Sequence, residues 1–142
     1  MGLNLPKHAD VVSAAARIAG RVETTPVLRS TVLDEIAGAS LLIKAECLQQ
    51  TGSFKLRGAT NAVLSLSQDA RARGIIAVST GNHGRALAYA ARSAGARAII
   101  CMSKLVPQAK IDGIAAQGGE IRIIGRSQDE AQHEVDRLIA SE

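Results

Sequence analysis

Aromatic residues are almost missing from this sequence: Phe54 and Tyr89 are its only ones, and it has no tryptophan. A nucleic-acid surface needs planes on which bases stack and a clustered basic patch. Here 17 Lys and Arg are scattered among 13 Asp and Glu, so the net charge of +4 reads as an ordinary solvated surface, with no nucleic-acid partner. Cysteine is scarce too. Cys47 and Cys101 stand far apart in apolar, strand-like runs, with no CxxC and no Cys/His cluster beside them. That excludes a disulfide framework and a metal site of the zinc type, and predicts two buried free thiols. No uninterrupted apolar run approaches the roughly 20 residues that cross a bilayer. The start, MGLNLPKHAD, lacks the charged-then-apolar plan of a secretory signal. A cytoplasmic protein with no membrane partner is the expectation.

What remains is a chain of 142 residues, 46% hydrophobic and 21% charged, with room for one ordinary core. Between Ala9 and Val22, the residues Val11, Val12, Ala15, Ile18, Ala19 and Val22 recur at helical spacing and predict a first amphipathic helix. Thr25-Pro26 breaks it, because proline has no amide hydrogen. A short helix is predicted near Thr31 to Ala37, ended by Gly38, and a strand over Leu41 to Glu46. From Gly74 onward, apolar runs at Ile75 to Val78, Ala98 to Met102 and Ile121 to Ile124 alternate with helical segments. Their spacing suits a strand plus a crossover helix, which predicts an α/β fold: a parallel sheet with helices on both faces. Pro107 suits the first turn of the middle helix, and Gly118-Gly119 closes it. Ser127 with Glu130 forms a capping box opening a last helix, whose apolar face is Ala131, Val135, Leu138 and Ile139 and which runs into Glu142.

Two motifs carry chemistry. In the first, Ser53-Phe54-Lys55-Leu56-Arg57-Gly58-Ala59, a lysine beside the only phenylalanine enters a helix. In a dry niche such a lysine loses its proton readily, and an unprotonated amine is what Schiff-base chemistry requires. Residue types alone favour an ordinary solvated lysine. In the second, Ser79-Thr80-Gly81-Asn82-His83-Gly84 joins a strand to a helix, gathering free amides at the positive helix end as a seat for a carboxylate or phosphate. It is neither a Walker loop nor GxGxxG, and read alone it is equally an ordinary helix cap.

Together the residues resemble a known family. Thr25-Pro26, the strand ending in Lys44-Ala45-Glu46, Gln49-Gln50-Thr51-Gly52 before the first motif, and then the second motif follow the order seen in threonine dehydratases and serine racemases. The resemblance to these fold-type II pyridoxal-phosphate enzymes runs from near residue 9 to the end, and within the group the chain looks most similar to the dehydratases of hydroxyectoine utilisation. It implies pyridoxal 5'-phosphate as cofactor, Lys55 as the lysine that carries it, Phe54 packed beside its ring, and Asn82 hydrogen-bonded to its phenolic oxygen. It implies that Ser79, Thr80, Gly81, Asn82 and His83 bind the carboxylate of a small amino-acid substrate. Lys55 would then remove the α-proton and the β-hydroxyl would leave, giving a 2-oxo acid and ammonia.

The chain departs from the pattern at Thr80. Racemases carry a serine there, acting as acid/base, and dehydratases usually alanine; the stiffer threonine ranks elimination above racemisation. Where serine racemase holds substrate with an arginine, Gln132 and His133 stand. The family's Gly-rich loop for the cofactor phosphate lies further along its chains, so this sequence reads as a truncated amino-terminal part. Residues 1–73 begin the large cofactor-binding domain, and residues 74–142 form a nearly complete small domain. Expected consequences are apolar faces exposed in the first 70 residues, with poor stability or association of the chain alone, weak cofactor binding, and a homodimer at full length. The competing readings are a racemase or β-replacing synthase, and a non-catalytic module that binds an anion at Asn82.

Overall fold

The computed structural model describes residues 5–141. Met1 to Asn4, part of the start read above for a signal, and Glu142, the expected end of the last helix, lie outside them. Helix α1 spans His8–Ile18, and stops there because the chain turns at Gly20, whose φ of 70° is left-handed. Its expected apolar face is only partly used: Val11 and Val12 are exposed, while Val22 beyond the helix packs on the main core. Strand β1 (Val27–Leu28) pairs antiparallel with β2 (Ile43–Lys44), with Val27 opposite Lys44. Between them α2 (Thr31–Ala37) is capped by the Ser30 hydroxyl and ended by Gly38, as its sequence predicts.

The strand expected over Leu41 to Glu46 is therefore shorter. The chain turns at Ala45 into a 3-10 turn over Glu46–Leu48, which carries the Glu46 carboxylate to Arg57. Cys47 rides the outer side of that turn and is exposed, a correction to the expected pair of buried thiols; Cys101 is buried. Two helices follow, α3 (Lys55–Ser65) and α4 (Gln68–Arg73). The second has no apolar face to betray it in the sequence. Its cap forms it, with the Ser67 hydroxyl accepting the Ala70 amide at 3.1 Å.

From there the alternation holds. Strands β3 (Ile75–Val78), β4 (Ala98–Met102) and β5 (Glu120–Ile123) form a parallel sheet in that order, with Ile75 opposite Ala98 and Ile100 opposite Ile121. The helices are α5 (Asn82–Ser93), α6 (Gln108–Ala115) and α7 (Gln128–Ser141). Side chains alternate across a strand, and β4 uses both faces. Ile100 and Met102 join α3, α5 and α6 in the main core. Ile99 and Cys101 point the other way, to Ala131 and Val135 of α7. Ile139, expected with them, is exposed. The capping box is present, with the Ser127 hydroxyl accepting the Glu130 amide, but the Glu130 carboxylate reaches back to the Arg126 amide.

The main core crosses residue 74, joining Leu56, Ala59 and Val63 of α3 to Ala86, Leu87 and Ala90 of α5. Leu56 is fully buried. Leu56→Ala should cost about 2–5 kcal/mol, the range for a buried leucine left as a cavity, read as a lower urea midpoint with unchanged slope.

Candidate active site

Helices α3 and α5 bring the two motifs together. Thr60 and Leu64 of α3 line one small cleft with Tyr89, Ala90, Ser93 and Ala94 of α5, so the later halves of the two helices lie side by side. Leu56 and Ala86 share the core nearer their starts. The helices thus run in the same direction, and their first turns, with Lys55 and Asn82, open at one end of the pair.

Lys55 is the first residue of α3 and is exposed, not enclosed in the dry niche its neighbours suggested. Its Nζ lies 4.7 Å from the centre of the Phe54 ring, a cation-to-ring contact. Phe54 is itself 59% exposed, so the only phenylalanine offers a face to solvent instead of anchoring the core. Before it, Thr51 and Ser53 are buried, and their hydroxyl oxygens have no hydrogen-bond partner.

The second motif is built on Ser79. Its amide donates to the Cys101 carbonyl at the end of the sheet, and its buried hydroxyl accepts the Gly84 amide at 2.8 Å and the Gly81 amide at 3.4 Å. Gly84 leaves little room for a side chain, since an added Cβ would stand 3.0 Å from both the Ser79 Cβ and the Ile100 Cγ2. The first amides of a helix have no partner within it. With those of Gly81 and Gly84 on Ser79, the amides of Asn82 and His83 have no partner among the described residues. Asn82 and His83 are exposed, and Thr80 and Gly81 half-buried. Asn82 and Gly81 also line a cavity of about 340 Å³ with Arg85 and, from α6, Lys110 and Gly113. Gln132 and His133 are exposed on α7.

An electrostatic hub that residue-by-residue reading did not find lies behind Lys55. Arg57 grips both carboxylate oxygens of Glu46, from Nε at 2.9 Å and Nη2 at 2.7 Å, and the Thr25 hydroxyl donates to the same carboxylate at 2.5 Å. Its members Thr25, Glu46 and Arg57 all stand in the stretches that carry the family resemblance. The signal was there, but their partnership joins residues 11 to 32 positions apart.

A pyridoxal-phosphate dependent enzyme model matches residues 18–142. The chain belongs to this family. A Sinorhizobium fredii protein named as a threonine dehydratase is 57% identical over 129 residues, covering 91% of this chain and 39% of its own length. The L-threo-3-hydroxyaspartate ammonia-lyase of Saccharomyces cerevisiae is 38% identical over 138 residues, 97% of this chain and 42% of the enzyme. The structure of maize serine racemase superposes with a TM-score of 0.89 at 34% identity, over 92% of this chain and 40% of that one. The chain therefore spans about two fifths of the length of the curated relatives it matches.

The residues present fit the family's cofactor. A flat aldehyde with a phenolic oxygen calls for a primary amine, an apolar face and hydrogen-bond donors. Lys55, the exposed Phe54 ring, the unpartnered Thr51 and Ser53 hydroxyls, and Asn82 supply these at one end of the helix pair.

Hydrogen bonding from Arg57, seconded by Thr25, holds the Glu46 carboxyl below the usual carboxylate range against the opposing effect of burial. A depressed carboxyl contributes stability that is complete above its unfolded pKa and is lost as pH falls through the folded one. Glu46→Gln should therefore cost about 1–2 kcal/mol at neutral pH, in the range for hydrogen bonds to a charged group. The gap between wild type and variant, read from denaturant melts across pH, should narrow on acidification below the ordinary glutamate range.

Proposed function

We propose that the family-length protein is a lyase that converts a small hydroxy amino acid of the threonine or serine type to a 2-oxo acid and ammonia. The observation that carries this is the common end of α3 and α5, where a solvent-facing lysine amine stands with two open helix amides. Names printed for similar proteins agree, since a threonine dehydratase and a hydroxyaspartate ammonia-lyase are both among them.

Lys55 holds the cofactor, beside Phe54 and Asn82. Bound there, pyridoxal phosphate supplies an electron sink for the bond broken at the substrate's α-carbon. The rest falls to the protein. The amides of Asn82 and His83, at the positive end of α5, seat the substrate carboxylate. The Ser79 hydroxyl, taken up by Gly84 and Gly81, shapes that seat from below. The Lys55 amine, once freed, takes the α-proton as general base, and the β-hydroxyl departs from the adjacent carbon. Phe54 shields one side of the reacting centre from water.

Racemisation is the second reading, favoured by the hydroxyl of half-buried Thr80 beside the seat. In the division of the chain we infer, residues 1–73 belong to the large domain and 74–142 to the small one. All but three of the large exposed hydrophobic side chains among the described residues precede residue 67, Val27, Leu28, Val32 and Ile36 among them. We infer that a family-length protein covers this surface, partly as a cytoplasmic homodimer. No helix among the described residues is long and apolar enough to cross a membrane.

The test is product analysis on a family-length version given L-threonine and L-serine. Release of 2-oxo acid and ammonia, lowered at least about 100-fold by Lys55→Ala, is the expected result, in the range for loss of a general base. Accumulation of the mirror-image amino acid, lost in Thr80→Ala, would establish the racemase reading instead. Unchanged turnover in Lys55→Ala would refute both.

A further inference from the structure

The loop that delivers Lys55 is tied at both ends to one residue's backbone. At its start, the buried Gln49 side chain donates to the Glu23 carbonyl at 2.7 Å and accepts the Glu23 amide at 3.2 Å. Just past its end, Arg57 Nη2 donates to that same Glu23 carbonyl at 3.1 Å. Between the two anchors the chain passes Gly52, at a left-handed φ of 73°, and carries the unpartnered hydroxyls of Thr51 and Ser53. Arg57 cannot swing away from its anchor, because the bidentate grip on Glu46 fixes its guanidinium plane. Glu46 is fixed in turn by the buried Thr25, whose carbonyl accepts a hydrogen bond from Lys44 Nζ.

Lys55 has no such anchor of its own. Beyond the Phe54 ring its amine is exposed, on a four-carbon stem with free rotation, so the backbone turn beneath it decides where the amine is presented. We propose that the Glu46–Arg57 pair is the positioning device for Lys55: it closes the 49–54 loop onto Glu23 and thereby sets the amine's reactivity toward an aldehyde. This rests on the reading of Lys55 as the cofactor-bearing lysine and adds two residues that touch neither cofactor nor substrate. The fork geometry is essential to it. A lysine at 57 brings the charge but cannot hold two carboxylate oxygens and a carbonyl in one plane.

The test incubates the 142-residue chain with pyridoxal phosphate, reduces with borohydride, and quantifies modification at each lysine by peptide mass spectrometry. Lys7 and Lys104, outside the loop, are internal references. In the wild type, Lys55 should be labelled in preference to them. In Glu46→Gln and in Arg57→Lys, the ratio of Lys55 to the references should fall about tenfold, the order expected when a reacting group is displaced slightly. Labelling of the references and the far-ultraviolet dichroism should stay unchanged. General loosening would instead raise labelling everywhere. Thr25→Val, which removes one hydrogen bond from Glu46 and keeps the side-chain shape, should lower the ratio by a smaller factor, and decides the matter if Glu46→Gln does not fold. A folded Glu46→Gln or Thr25→Val with the wild-type ratio overturns the proposal while leaving Lys55 as the cofactor lysine. No preference for Lys55 in the wild type overturns that reading first, and the positioning role with it.

Discussion

Everything at the candidate site depends on the packing of α3 against α5 above the middle strand. Leu56, Ala59 and Val63 on one helix meet Ala86, Leu87 and Ala90 on the other, over Ile100 and Met102. The alanines are the reason the helices can approach closely, and close packing is what gives burial its full dispersion energy. Because the helices run in the same direction, the contact also does chemical work. It turns two motifs about 27 positions apart, at Lys55 and Asn82, into neighbours at one end of a layer. Their common direction follows from the fold, since a helix that precedes a parallel strand and one that follows it can share a face of the sheet.

The two halves of the site are held by opposite means. The Asn82 turn is braced from inside. A buried serine hydroxyl takes two amides, and the absence of a side chain at Gly84 lets the helix start directly against Ile100. The Lys55 turn is braced from behind by charge. The pair is part-buried, with the Arg57 side chain 32% and the Glu46 side chain 17% exposed, and its two-point fork geometry fixes both side chains. The site is thus divided between an Asn82 turn braced by a buried hydroxyl and a Lys55 turn braced by an ion pair. The unpartnered hydroxyls of Thr51 and Ser53 stand on the amine's side of that division.

Much of this was legible in the sequence. The three parallel strands were, because short continuous apolar runs alternate with helical segments; β3 and β4 fall where the runs do. So was α2, with a serine before it and a glycine after it. Strand β5 starts one residue earlier than its apolar run, at Glu120, which pairs with Ile99 in the parallel ladder. What the sequence hid was long-range. Leu41 to Glu46 reads as one strand, yet the attraction of Arg57 for Glu46 ends it after Lys44 and carries Cys47 out to the surface. A dry niche for Lys55 beside Phe54 was one reading and a solvated lysine the other, and the fold decides for the exposed amine, with the ring facing outward. The Asn82 turn was legible as a helix start, whereas the role of Ser79 in taking up two of its amides was not, since hydroxyl direction leaves no trace in a pattern of residue types.

The central claim is that Lys55 and the Asn82 turn form one site. The most direct measurement is amide NMR of the ¹⁵N-labelled chain before and after borohydride reduction has fixed a phosphopyridoxyl group on Lys55. If the helix pair is as described, the largest changes beyond the immediate neighbours of Lys55 will fall on the amides of Asn82 and His83. Changes confined to the residues around Lys55, with Asn82 and His83 unmoved, would contradict it.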